Sequence, residues 1–206
     1  MTSITPTQLE IIGFLINQEN PQNIRGIAKT LKKSYSLVYN NLEDLRKLNV
    51  IEKENLPPVQ IITLNQYSPV EFLIKAERRM TEVFLEKKSW LSLFLNDILS
   101  STTSLFFIML VFGSYAKGKA TNKSDLDLLI IVPKKEDINN MEKVLKQQYI
   151  KIKTQTIVID ELDFLETIKK SQEFNVSNEA IKHHIILYGH DSYYQLLKKA
   201  ERWKSR

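Results

Sequence analysis

Cysteine is absent from the 206 residues, which excludes disulfides, thiol nucleophiles and Cys-ligated zinc. Three histidines remain as soft metal ligands. Two of them, His183 and His184, are adjacent, so on a helix they would point about 100° apart and share one ion poorly. Packing is the expected role for these two and for His190. Long apolar runs are missing too. The longest, Leu105 to Phe112, falls well short of the roughly 20 residues that cross a bilayer, and the N-terminus shows no basic region followed by an apolar core. A soluble, cytoplasmic protein is expected. There is no internal repeat or low-complexity stretch. Nor is there a large excess of one charge. The net charge is +5, and residues 1–65 carry 7 Lys+Arg against 6 Asp+Glu while residues 166–206 carry 8 against 5. Bulk charge therefore does not argue for a nucleic-acid partner. What is present is ordinary for a folded chain, with 43% hydrophobic and 26% charged residues. The length suits one large domain or two small ones.

Apolar spacing resolves the N-terminal third into three helices and a hairpin. Thr5 reads as an N-cap with Pro6 in the first turn, followed by Leu9, Ile12, Leu15 and Ile16 at helical steps. Asn20-Pro21 ends that helix. A short second one carries Ile24, Ile27, Ala28 and Leu31 and stops at Lys32-Lys33-Ser34. A third follows from Tyr35 with Val38, Leu42, Leu45 and Leu48 on one face. Two strands, Val50 to Lys53 and Val59 to Leu64, flank the loop Glu54 to Pro58. This order, with the run Ile24 to Leu45, resembles the small winged-helix regulators of bacteria and archaea over about 60 residues. The resemblance implies that the third helix enters the major groove of double-stranded DNA. Lys33, Ser34, Tyr35, Ser36, Tyr39 and Asn40 then stand where phosphates and base edges are met, with Arg25, Lys29 and Lys32 nearby. A protein–protein adaptor is the competing reading. Glu52 and Glu54 around Lys53 argue against a phosphate-clamping wing.

After Ser68-Pro69, residues 71–99 read as a long helix or a helix with a break, suited to connecting or dimerising. Trp90, Trp203 and the segment from Phe84 to Phe94 read as core or dimer contacts. From 105 the pattern becomes strand, turn, strand, helix, strand over Leu105–Phe112, Asp125–Val132, Glu136–Gln148 and Tyr149–Ile159, closed by helices over 163–170 and 177–188 and another from Ser192. The fold class is thus α+β in two domains, with residues 1–66 the winged helix, 67–104 the connector, and 105–206 a mixed sheet with flanking helices and a helical tail.

The most informative stretch runs from Phe112 to Val132. A buried strand delivers Gly113 and Ser114 into a turn, where Gly lets backbone approach an anion and free N–H groups and the Ser hydroxyl can bind phosphate. Asp125 and Asp127 lie two apart at the head of the next strand and so share a face. Two such carboxylates suit a hard divalent cation, Mg²⁺ or Mn²⁺, that also takes substrate phosphates. Lys117 and Lys119 are further phosphate candidates, with solvated loop charge as the plain alternative. Apolar-Gly-Ser followed by Asp-apolar-Asp-apolar resembles the nucleotidyltransferase superfamily of DNA polymerase beta, and particularly its minimal prokaryotic members. The later stretch Asn178 to His190 extends that likeness to about half the chain.

The resemblance implies Mg-dependent transfer of a nucleoside monophosphate from a nucleoside triphosphate, ATP in the first instance, to a hydroxyl. A protein, a nucleic-acid end or a small compound could supply that hydroxyl. Active members of the family add a third carboxylate on the following strand. Here apolar flanks align Gln155 at that position, and an amide has no titratable lone pair with which to take a proton. Two other functions therefore stand beside the enzyme: a transcription regulator whose weak transferase domain senses nucleotide, and an antitoxin-like partner. A homodimer is expected from the usual pairing of half-sites.

Overall fold

A computed structural model describes residues 4–169 and 176–200. Lys170, expected to end a helix, and Trp203 lie outside the described residues. The chain divides into two compact units, with the division between Met80 and Thr81.

In the first unit, α1 (Pro6–Ile16), α2 (Ile24–Thr30) and α3 (Tyr35–Lys47) lie beside a three-stranded antiparallel sheet. Each helix starts where a side chain can accept an otherwise unpaired backbone N–H. Thr5 and Gln8 cap one another reciprocally at α1, Asn23 accepts from Gly26 at α2, and Ser34 accepts from Leu37 at α3. The apolar stripes read from the sequence are the buried ones: Ile12, Leu15, Ile27, Val38, Leu42 and Leu45 are all at most 4% exposed. The hairpin consists of β2 (Ile51–Leu56) and β3 (Val59–Leu64), so pairing runs past the expected five-residue loop and leaves only Pro57-Pro58 at the turn. A further strand, β1 (Gln22–Asn23), pairs with β3 in the order β1-β3-β2. Two residues are too few for alternation to announce a strand.

The connecting segment is two helices, α4 (Val70–Glu86) and α5 (Ser89–Ser101), so of the two forms expected for it the broken helix is the one present. The second unit is built on four strands, β4 (Ile108–Phe112), β5 (Leu126–Val132), β6 (Thr154–Asp160) and β7 (Ile185–Tyr188), in the order β6-β5-β4-β7. The sheet is mixed, because β5 pairs antiparallel with β4 and parallel with β6. The parallel step is made by α7 (Lys135–Gln147), which carries the chain back across the sheet. All of β4 and six of the seven residues of β5 are buried. Asp127 is the exception in β5, and a half-exposed carboxylate inside a buried apolar strand marks it out.

Two expectations are corrected. Strand β4 begins at Ile108, not Leu105, and β6 at Thr154, not Tyr149; Phe106 and Tyr149, the residues thus left outside, are 79% and 80% exposed. More consequentially, residues 177–188 are not one helix, and the tail is not wholly helical. The turn α6 (Gly113–Ala116) follows β4, α8 (Glu161–Lys169) follows β6, and α9 (Val176–Lys182) stops before β7, which pairs antiparallel with β4. Ile185, Ile186 and Leu187 are buried by that pairing, and so short an apolar run carries no period to separate strand from helix. Gly189 then turns the chain into α10 (His190–Lys199) with φ of 83°, and a Cβ there would meet the Phe107 carbonyl oxygen at 2.5 Å. The Thr81 hydroxyl donates to the Ile186 carbonyl, tying β7 to the end of α4.

Candidate active site

The end of β4 and the head of β5 converge by register: Phe112 lies opposite Asp127, and Gly113 follows at once. Gly113 has φ of 64°, and a Cβ built on it would fall onto the Asp127 carboxylate. Only glycine admits that approach. The carboxylate therefore faces the turn that carries Gly113 and Ser114. Asp125 stands immediately before β5, two residues from Asp127 and half-buried.

Strand β6 supplies the other wall. Its parallel register sets Gln155 beside Asp127. Gln155 Nε2 donates to Asp125 Oδ2 at 3.0 Å, and Lys153 Nζ reaches the same oxygen at 2.9 Å. Asp160 pairs with Val132 at the far end of the two strands and accepts from the Asp163 N–H, so it cannot stand in for Gln155. The position on β6 beside Asp127 thus carries an amide, and Lys153, two residues before it, ion-pairs with Asp125.

The surroundings shift the two aspartates in opposite directions. The hydrogen bond from Lys153, and after it that from Gln155, holds the Asp125 carboxyl below the usual carboxylate range. Burial pushes Asp127 up, reinforced by the negative charges of Glu179 and Asp125 and opposed by Lys117. Glu179, on α9, belongs to no motif in the sequence. Nothing in a seven-residue helix marks it; its place depends on packing between α9 and β4. Lys117, one of the two expected phosphate ligands, ion-pairs with Glu179 at 2.9 Å. Lys119 donates its backbone N–H to the Ser114 carbonyl at 2.9 Å and leaves its side chain exposed. Trp90 meets the Tyr115 ring edge-on at 6.4 Å, and Lys88 lies over Phe84 at 4.2 Å, so this aromatic group flanks the turn after Ser114. His184 is buried with its ring 5.0 Å from Tyr193. Among the described residues no group of three His, Cys, Asp or Glu side chains is close enough to enclose a metal ion.

Residues 108–187 match the family of nucleotidyltransferase domains. That segment lies wholly within the second unit. It contains both aspartates, the Gly113 turn, Gln155 and Glu179. Residues 3–60 match the HVO_A0114 family. No curated protein matches the chain. No helix among the described residues is long and apolar enough to cross a membrane.

The residues expected to meet DNA occupy the start of α3 in the first unit, and their surroundings differ. Tyr35 and Tyr39 are 50% and 37% exposed and stacked at 6.2 Å, and Ser36 and Asn40 are exposed beside them. Ser34 spends its hydroxyl oxygen capping α3, and Lys33 is ion-paired to Glu10 at 2.8 Å. Lys53 is engaged by Glu43 at 2.7 Å and lies 4.7 Å from the centre of the Tyr39 ring.

The raised Asp127 has a consequence for stability. Folding favours its protonated form, so across the interval above the ordinary 3.8 the folded chain binds more protons than the unfolded one, and stability falls as pH rises. Asp127→Asn is therefore expected to raise the melting temperature at pH 7 by about 2 °C. That gain should vanish below about pH 4, as followed by circular dichroism. A lower melting temperature at pH 7 would contradict this electrostatic description.

Proposed function

We propose that the nucleotidyltransferase domain binds a nucleoside triphosphate with one divalent cation at the corner of Gly113, Ser114, Asp125 and Asp127, and transfers the nucleoside monophosphate to a hydroxyl acceptor. The observation that carries this reading is the seating of the Asp127 carboxylate against the Cα of Gly113. It brings the acid to a turn whose backbone can approach a triphosphate closely. The donor set suits one Mg²⁺: two carboxylates from one strand, the rest of the sphere coming from phosphate and water. When bound, the ion would screen the phosphates and withdraw charge from the α-phosphorus.

The chain's own residues do the rest. Gly113 and Ser114 orient the phosphates, and Lys117 adds positive charge from the following turn. The acceptor oxygen attacks the α-phosphorus, the bond to the β-phosphate oxygen breaks, and pyrophosphate leaves. The proton of the acceptor hydroxyl has no carboxylate waiting on β6, because Gln155 stands there. Turnover is then slow, or it uses a base brought by the acceptor. The same feature supports a second reading, in which Lys153 and Gln155 hold Asp125 and the domain senses nucleotide without transferring it, as a regulator or an antitoxin-like partner would.

Isothermal titration with ATP and Mg²⁺ separates these readings when joined to a transfer assay with labelled ATP. Binding at micromolar concentrations that Asp125→Ala weakens at least tenfold is expected, with AMP transfer slow in the wild type and absent in Asp127→Asn. Transfer that is fast in the wild type would show that Gln155 does not limit the reaction. No binding at all would remove the nucleotide reading.

We further infer that the first unit is a winged helix that binds double-stranded DNA as a dimer through α3. Support comes from four exposed hydrogen-bonding side chains, Tyr35, Ser36, Tyr39 and Asn40, on the leading half of an otherwise amphipathic helix. The hairpin tip, with Glu54, Leu56 and Val59 exposed, suits a phosphate backbone poorly. Selection from a random duplex library should yield a two-fold-symmetric site bound by two chains. Tyr39→Ala or Asn40→Ala should weaken that site about tenfold or more, as expected for losing one base contact. Equal affinity for all duplexes, unchanged by either substitution, would favour a protein-docking role.

A further inference from the structure

Lys117 is not idle where it stands. It follows Ser114 by three residues, at the end of α6, and its ammonium is held by Glu179 at 2.9 Å in a pair whose side chains are only 33% and 31% exposed. Glu179 is fixed in turn, because its helix neighbours Asn178, Ala180 and Ile181 are at most 5% exposed. The Glu179 charge acts on Asp127 more strongly than that of Asp125, its neighbour two residues away. Glu179 thus adds a third negative group to this corner, from an element that the Gly-Ser and Asp-x-Asp pattern does not include.

We propose that Glu179 is an affinity-setting residue which pairs with Lys117 and must release it when the phosphates of a nucleotide arrive. This rests on the nucleotide reading of the same corner. An incoming polyphosphate carries the same charge as Glu179 and competes for the same ammonium. Binding therefore costs the Lys117–Glu179 pair, and it also brings a polyanion towards a carboxylate that α9 holds in place. Divalent cation offsets much of that repulsion. Glu179 accordingly biases the site towards the metal-bound nucleotide and against free polyphosphate.

The test uses the full chain with two probes, MgATP and inorganic tripolyphosphate in EDTA. Glu179→Gln and Glu179→Ala should each bind tripolyphosphate about two- to fivefold tighter than the wild type, the range set by a partly exposed ion pair. Lys117→Ala should weaken it, and in that background Glu179→Gln should recover less than it gains in the wild type, since no ammonium is left to release. The preference for MgATP over tripolyphosphate should narrow in both Glu179 variants. Unchanged or weaker tripolyphosphate binding in both variants, with MgATP still bound by the wild type, would overturn the role of Glu179 and leave the nucleotide reading intact. Failure of the wild type to bind either probe would overturn both.

Discussion

The contact of the Asp127 carboxylate with the bare Cα of Gly113 is the constraint from which the rest of the site follows. It needs a glycine with positive φ at the end of β4 and an acid at the second position of β5, brought together by antiparallel pairing of those two strands. A side chain on Gly113 would push the acid away and separate the turn from the carboxylate. The apolar residues of β4 and β5 are what hold the two backbones at that spacing, so the core of the second unit and its candidate chemistry are one arrangement. Strand β6 then joins β5 in parallel and fixes what stands beside Asp127, while α9 and β7 join at β4 and bring Glu179 to the other side.

The electrostatics of this corner are divided. Asp125 is charged and satisfied, its Oδ2 taking hydrogen bonds from Lys153 and Gln155. Asp127 is half-buried and under pressure from two like charges, with Lys117 partly relieving it. An acid shifted in this way beside a glycine turn is a candidate functional position. Beside Asp127 on β6 stands Gln155, whose amide has no lone pair that titrates and so takes no proton. Lys153 is 76% exposed and can leave Asp125 at little cost, so the pair does not bar a cation.

Local pattern was enough to read the helices of the first unit, the Gly-Ser turn, the two aspartates and the place of Gln155. Each depends on periodicity, capping chemistry or a spacing of two along one strand. What escaped the sequence depends on contacts between distant segments. Strand β7 is four apolar residues without a period, and it is a strand only because β4 offers an open edge. Glu179 sits in a short helix with no motif, and its proximity to Asp127 arises from α9 packing against β4. The engagement of Lys33 by Glu10, and of the Ser34 oxygen by the helix it caps, likewise shows that a basic or polar residue in the right stretch already has a local partner. Tyr35, Ser36, Tyr39 and Asn40 keep their exposure because the buried stripe Val38, Leu42, Leu45 faces the other way.

The central claim is spatial: a metal-bound triphosphate sits where Gly113 and Asp127 meet. Amide NMR spectra recorded as MnATP is added address it directly, because the paramagnetic ion broadens resonances only in its neighbourhood. The account predicts that Gly113, Ser114, Leu126 and Asp127 broaden first, at substoichiometric Mn²⁺, and that β7 and the far end of β5 stay sharp. Broadening centred elsewhere, with these four signals unaffected, would contradict it.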